Sequence, residues 1–61
     1  MDELLTVKEV AEYLKVDIYT IRRYIKQGHL IAHSLPGGDY RIPRSAIEAI
    51  LTPYMMEVPL E

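Results

Sequence analysis

Three residues, Lys15-Val16-Asp17, separate two segments that each read as a short amphipathic helix. That spacing constrains the fold more than any other feature of the chain. The first helix opens at Thr6-Val7-Lys8-Glu9, a capping box: the Thr6 hydroxyl can accept an orphan amide and Glu9 can reach back to the cap amide. Behind it Val7, Val10, Ala11 and Leu14 recur at i, i+3, i+4 and i+7, one face of a helix over about residues 7–14. Asp17 is a good N-cap for a second helix from Ile18 to about Gln27. Gly28 then ends it from the C′ position, where a left-handed conformation is wanted. A connection of about three residues forces the two helices to pack on each other, the spacing of a helix-turn-helix.

The second helix has two faces of different chemistry. At 100° per residue with Tyr19 at zero, Arg22 falls near ~300°, Arg23 near ~40° and Lys26 near ~340°. Ile21, Ile25 and Ile18 fall near ~200°, ~240° and ~260°, a core stripe. All three basic residues therefore share one exposed face with Tyr19. An ordinary solvated helix face mixes in acids for i,i+4 pairing, and this one has none.

Charge along the chain agrees. The net charge is −2, which by itself argues against a nucleic-acid partner, but the distribution reverses the argument. Residues 1–14 set Asp2, Glu3, Glu9 and Glu12 against Lys8, net −3; residues 45–61 hold Glu48, Glu57 and Glu61, net −3. Residues 15–44 carry Lys15, Arg22, Arg23, Lys26, Arg41 and Arg44 against Asp17 and Asp39, net +4. A basic middle between acidic ends is a one-sided electrostatic footprint; a solvated face arising by chance is the plainer alternative.

Downstream, Leu30-Ile31-Ala32-His33-Ser34-Leu35 and Tyr40-Arg41-Ile42-Pro43 flank Pro36-Gly37-Gly38-Asp39, which predicts a β-hairpin. So short a hairpin must pack on the helices. Ser45-Ala46-Ile47-Glu48 reads as a second capping box opening a third helix, whose apolar face is Ala46, Ile47, Ile50 and Leu51 and which Pro53 stops. The expected class is mainly α with a small β-hairpin, in the order α-α-β-β-α: a winged helix-turn-helix domain over residues 1–52 with a short C-terminal tail over 53–61. In that tail Met55-Met56 beside Tyr54 reads as a packing element, or more sharply as a dimer contact.

The run "LLTVKEVAEYLKVDIYTIRRYIKQGHL" followed by "GGDYRIPRSAIEAIL" resembles the excisionase-type DNA-binding domains, relatives of the MerR regulator head. The resemblance covers about residues 4–51. It implies a second helix in the major groove of double-stranded DNA and a wing along the adjacent backbone or minor groove. It also implies a role in excision and recombination or in transcriptional regulation, in the cytoplasm of a bacterial, phage or mobile-element system. Self-association on DNA or a recombinase would be the further partners. The departures from the family pattern are Lys15, at a turn position often held by glycine; Asp39 at a wing tip that is often basic; Ser34 where a cation is common; and Asp17 where Ser is frequent.

The candidate DNA contacts are Tyr19, Thr20, Arg22, Arg23 and Lys26 on the second helix, with Arg41 and Arg44 beyond it. Arg can read guanine O6 and N7 bidentately, whereas Lys more often neutralises phosphate. Thr20 has a local backbone hydrogen bond as its alternative. Arg41 alternates with Tyr40 and Ile42 in an extended run and so points outward, toward phosphate. Tyr24 is expected at the core edge and Tyr40 under the wing. His29 and His33 lack a third ligand and the geometry for a metal site. No cofactor is expected. An enzyme is excluded: there is no nucleophile–base pair, phosphate loop or metal cluster, and 61 residues do not enclose a pocket for a small-molecule substrate. No apolar run is long enough to span a membrane, and "MDELL" is not a signal peptide. The competing reading is a protein-interaction module that keeps the fold without strong DNA binding, motivated by the acidic balance, Asp39 and the apolar tail.

Overall fold

The computed structural model describes residues 2–51. Along the chain these form β1 (Leu4–Leu5), α1 (Val7–Leu14), α2 (Ile18–Lys26), β2 (His33–Ser34), β3 (Tyr40–Pro43) and α3 (Arg44–Ile50). The arrangement is mainly helical with a small antiparallel sheet, a winged helix-turn-helix. One element is additional to the expected order: β1 pairs with β3, Leu4 opposite Pro43 and Leu5 opposite Ile42. The sheet is thus three-stranded in the order β1-β3-β2. Two residues of strand leave no alternation to read, which is why the sequence does not announce β1.

The first two helices form as their local signals dictate. Thr6 Oγ1 accepts the Glu9 amide at 3.0 Å, and Glu9 Oε1 accepts the Thr6 amide at 2.9 Å, completing the capping box. At the other end of α1, Lys15 lies in the left-handed region at φ 62°, and the Val16 amide donates to the Ala11 carbonyl at 3.0 Å. A non-glycine residue there costs on the order of 1 kcal/mol; the turn is kept because it sends the chain straight into α2. Gly28 adopts φ 82° past the end of α2, where no heavy atom would meet an added Cβ within 4 Å, so the demand for glycine is conformational rather than steric.

The expected second capping box does not form. Pro43 holds the N-cap position of α3 and makes no side-chain cap, so Ser45 lies inside the first turn instead of before it. The cap comes from the far end of the chain: Asp2 Oδ1 accepts the Ser45 amide at 3.2 Å and Asp2 Oδ2 accepts the Ser45 hydroxyl at 2.7 Å. The Arg44 amide donates to the Glu3 carbonyl at 2.9 Å. The Ser45 hydrogen bonds hold the Asp2 carboxyl below its ordinary value of 3.8.

The hairpin is also shorter than expected. Leu30 to Ala32 are not strand, because the amides of His29 and Leu30 close the end of α2 on the Tyr24 carbonyl at 2.9 and 3.3 Å and are not available to a ladder. β2 pairs with β3, His33 opposite Arg41 and Ser34 opposite Tyr40. At the wing tip Gly37 and Gly38 both take positive φ, while the Leu35 amide donates to the Asp39 carbonyl at 2.8 Å.

The core gathers one or more side chains from nearly every element: Val7, Val10 and Ala11 of α1, Ile21 of α2, Leu30 of the link, Ile42 of β3, and Ala46 and Ile47 of α3. Ile21 and Ile42 have no exposed surface at all. The burial of α2 is centred on Ile21, with Tyr24 and Ile25 half-buried on either side. Ile18, expected in the core stripe, is 37% exposed: the stripe is tilted toward Tyr24, at the core edge as anticipated, and Ile18 falls off its other margin.

Candidate nucleic-acid interface

The rotation of α2 is fixed from both ends. Ile21 anchors the inner face, and Asp17 anchors the start, its Oδ1 accepting both the amide and the hydroxyl of Thr20 at 2.8 Å. Those two hydrogen bonds, amide first, hold the Asp17 carboxyl below its ordinary 3.8, with a smaller contribution from the positive charge of Arg23. The Thr20 hydroxyl is thus engaged locally, but with the Asp17 carboxylate rather than in the backbone bond expected as its alternative.

Opposite Ile21 stand Tyr19, Arg23 and Lys26, all exposed, Tyr19 at 73%. Among the described residues neither Arg23 nor Lys26 forms an ion pair. Arg22 is half-buried and turns away from this trio toward the wing. It lines a cleft of about 310 Å³ with Thr6, Lys8, Ile18, Tyr40 and Arg41, and Asp39 at the wing. The structure thus divides the cations of α2 into an outward group and one member that faces β3.

Arg41 is half-buried in that cleft, with its Nη1 donating to the Tyr40 carbonyl at 2.9 Å. Tyr40 packs at the core edge beneath the wing. Arg44 lies elsewhere. Its Nη1 is 3.3 Å from Glu3 Oε1 and its Nε is 4.0 Å from Glu48 Oε2, and it lines a second depression of about 200 Å³ with Leu5, Glu9, Tyr13, Ile47 and Glu48. Among the seven residues singled out from sequence, the structure brings Arg22 and Arg41 together, keeps Tyr19, Arg23 and Lys26 on one outward face, engages Thr20 locally and ties Arg44 to acids.

Lys8 is a cleft residue that sequence reasoning passed over. It stands among Asp2, Glu3, Glu9 and Glu12 in the chain, and a regional charge count hides it. In space its neighbours come from α2 and β3. Its only sequence signal is its place on the wheel of α1, beside the buried Ala11 that faces α2.

The chain matches the helix-turn-helix domain family over residues 4–53. It is also 34% identical, over 53 residues, to an excisionase of Mycobacterium phage D29, across 87% of this chain and 95% of that protein. The chain belongs to the excisionase-type helix-turn-helix family. Comparison with solved structures finds no match. Membership makes this a DNA-binding, excisionase-like protein, and its relative places that kind of protein in a phage. Among the described residues no group of three His, Asp or Glu side chains could hold a metal ion, His29 and His33 included. No helix among them is long and apolar enough to cross a membrane.

Proposed function

We propose that this excisionase-type domain binds double-stranded DNA sequence-specifically, with α2 in the major groove and the hairpin wing against the flanking backbone. The observation that carries the reading is the acid-free outward face of α2, Tyr19, Arg23 and Lys26, held opposite a fully buried Ile21. A helix fixed by its inner face and its cap presents such side chains at a defined angle, which base readout requires. In this reading Arg22 and Arg23 are the best base or phosphate contacts, Lys26 neutralises phosphate, and Tyr19 meets a base edge, a thymine methyl or a phosphate. Thr20 contributes through Asp17, by fixing the start of the helix, and turns to a phosphate only on leaving it. Arg41 supports from the wing. Arg44 is the weakest member, because its guanidinium must leave Glu3 and Glu48 to reach a phosphate.

Residues 1–52 form the binding unit and 53–61 a tail outside the described residues, where the anticipated Met55-Met56 contact falls. A single module of this size buries only about 600–1,000 Å² on DNA. Useful affinity then depends on several copies side by side or on a recombinase partner, within the cytoplasm that holds the mobile element's DNA. The name of the phage relative favours excision of a mobile element; repression of a promoter uses the same contacts. A protein-interaction role is supported by one observation, the depression with Tyr13, Leu5 and Ile47 on the other side of α1.

Fluorescence anisotropy with a mixed-sequence duplex, across a salt series, tests the reading. Binding should weaken steeply with salt, and Arg22→Ala/Arg23→Ala should flatten the log–log slope by about two. Absence of binding at low salt, or an unchanged slope in the double variant, would sink it.

A further inference from the structure

The cleft between α1, α2 and the wing collects three cations, Lys8, Arg22 and Arg41, from three different elements, against a single acid, Asp39. None of the three forms an ion pair among the described residues. One Arg41 hydrogen bond is spent on a neighbouring carbonyl, and among the described residues its other N–H groups have no partner. Like charges gathered without a counter-ion repel, and for Lys8 nothing in the packing requires its place there, since it is exposed on the first turn of α1. The cleft's volume of about 310 Å³ leaves room for an anion with part of its hydration.

We infer that this cleft seats one backbone phosphate of bound DNA and that Lys8 is a principal ligand of it. The inference rests on the DNA-binding reading above and adds a contact from α1, outside both the recognition helix and the wing. On the DNA-binding reading, a strand that leaves the groove occupied by α2 and passes the wing runs by the mouth of this cleft, which lies between those two elements. Lysine suits the task, since a phosphate is met well by a compact point charge. Arg22 and Arg41 flank it as the second and third donors. Asp39 lowers the net charge of the cleft from three to two, and so tempers the attraction without reversing it.

The test uses the full chain and a mixed-sequence duplex. Lys8→Ala should weaken binding about three- to tenfold near 0.1 M salt and flatten the slope of log K against log salt by about 0.9. Lys8→Arg should restore the slope. Lys15→Gln, which removes an exposed charge at the other end of α1 away from the cleft, should leave it unchanged. Thermal melts of each variant establish that the fold is kept. If the wild type binds with a steep salt slope and Lys8→Ala has the same slope, the phosphate seat is wrong and the DNA-binding reading stands. If the wild type shows no salt-dependent binding, both fall together.

Discussion

Helix α1 separates two depressions of opposite character. On one margin Thr6, Val7 and Lys8 face a cleft that draws Arg22 from α2 and Arg41 from β3. On the other, Glu9 and Tyr13 face a depression that draws Arg44 and Glu48 from α3. Lys8 and Tyr13 lie ~140° apart around the helix. Both depressions contain arginine, but on the second side the chain supplies its own carboxylates, Glu3 and Glu48, to Arg44. On the first side the described residues supply Asp39 alone, and it forms no ion pair. What distinguishes a cation available to a phosphate from one consumed by the fold is therefore the company it keeps in space, and the residue type is no guide. Exposed ion pairs such as Arg44–Glu3 contribute little to stability, about 0–1 kcal/mol, yet they suffice to bias which surface attracts a polyanion.

The largest expected effect removes both sides at once. Ile21→Ala deletes the fully buried anchor of α2 and should cost about 2–5 kcal/mol, most or all of the stability of so small a domain. Circular dichroism should show a largely unfolded chain, and with it no DNA binding. Next comes the comparison itself. Arg23→Ala should weaken binding to a mixed-sequence duplex about tenfold, whereas Arg44→Ala should change it less than about twofold. Equal losses would erase the distinction between the two sides. The reverse experiment sharpens it: Glu3→Gln/Glu48→Gln releases Arg44, and Asp39→Asn removes the one acid of the cleft. The Asp39 variant should raise affinity about two- to fivefold, and the released Arg44 should gain less, being on the wrong side of α1.

The smallest effect concerns acid. Asp17 caps α2 from three residues away, and Asp2 caps the start of α3 from across the chain. Both carboxyls are held below 3.8 by the hydrogen bonds they accept. A carboxyl whose folded pKa is depressed stabilises the fold above its unfolded value, and that contribution is lost as pH falls through the folded value. The thermal midpoint should stay level from pH 7 to about 5 and decline below about 4. Asp2→Asn/Asp17→Asn should blunt that decline, and an identical acid profile in the double variant would remove these caps from the account.

The two sides also differ in how far the sequence reveals them. α1 and α2 are specified by signals within a few residues: Thr6 with Glu9, Asp17 before Ile18, Gly28 after Lys26, and an apolar stripe at helical period. Each is a contact between near neighbours, so the residues themselves suffice. The face bearing Tyr19, Arg23 and Lys26 follows from the same wheel. The opposite side is built from the two ends of the described chain. β1, the Asp2 cap and the Arg44–Glu3 pair join residues some forty positions apart, and no local pattern encodes them; Ser45 and Glu48 even imitate a capping box, but the helix starts earlier and Ser45 lies two positions past the N-cap Pro43. Lys8 and Ile18 show the intermediate case. Their angles are legible, but whether a neighbour covers them depends on where the wing lands.

Which side of α1 meets DNA can be read most directly by titrating the ¹⁵N-labelled protein with a short duplex and mapping amide shifts residue by residue. The account predicts that the shifts gather on Lys8, Tyr19, Arg22, Arg23, Lys26 and Arg41, and that Glu9, Tyr13, Ile47 and Glu48 stay still. Shifts concentrated around Tyr13 and Ile47, with α2 unmoved, would contradict it.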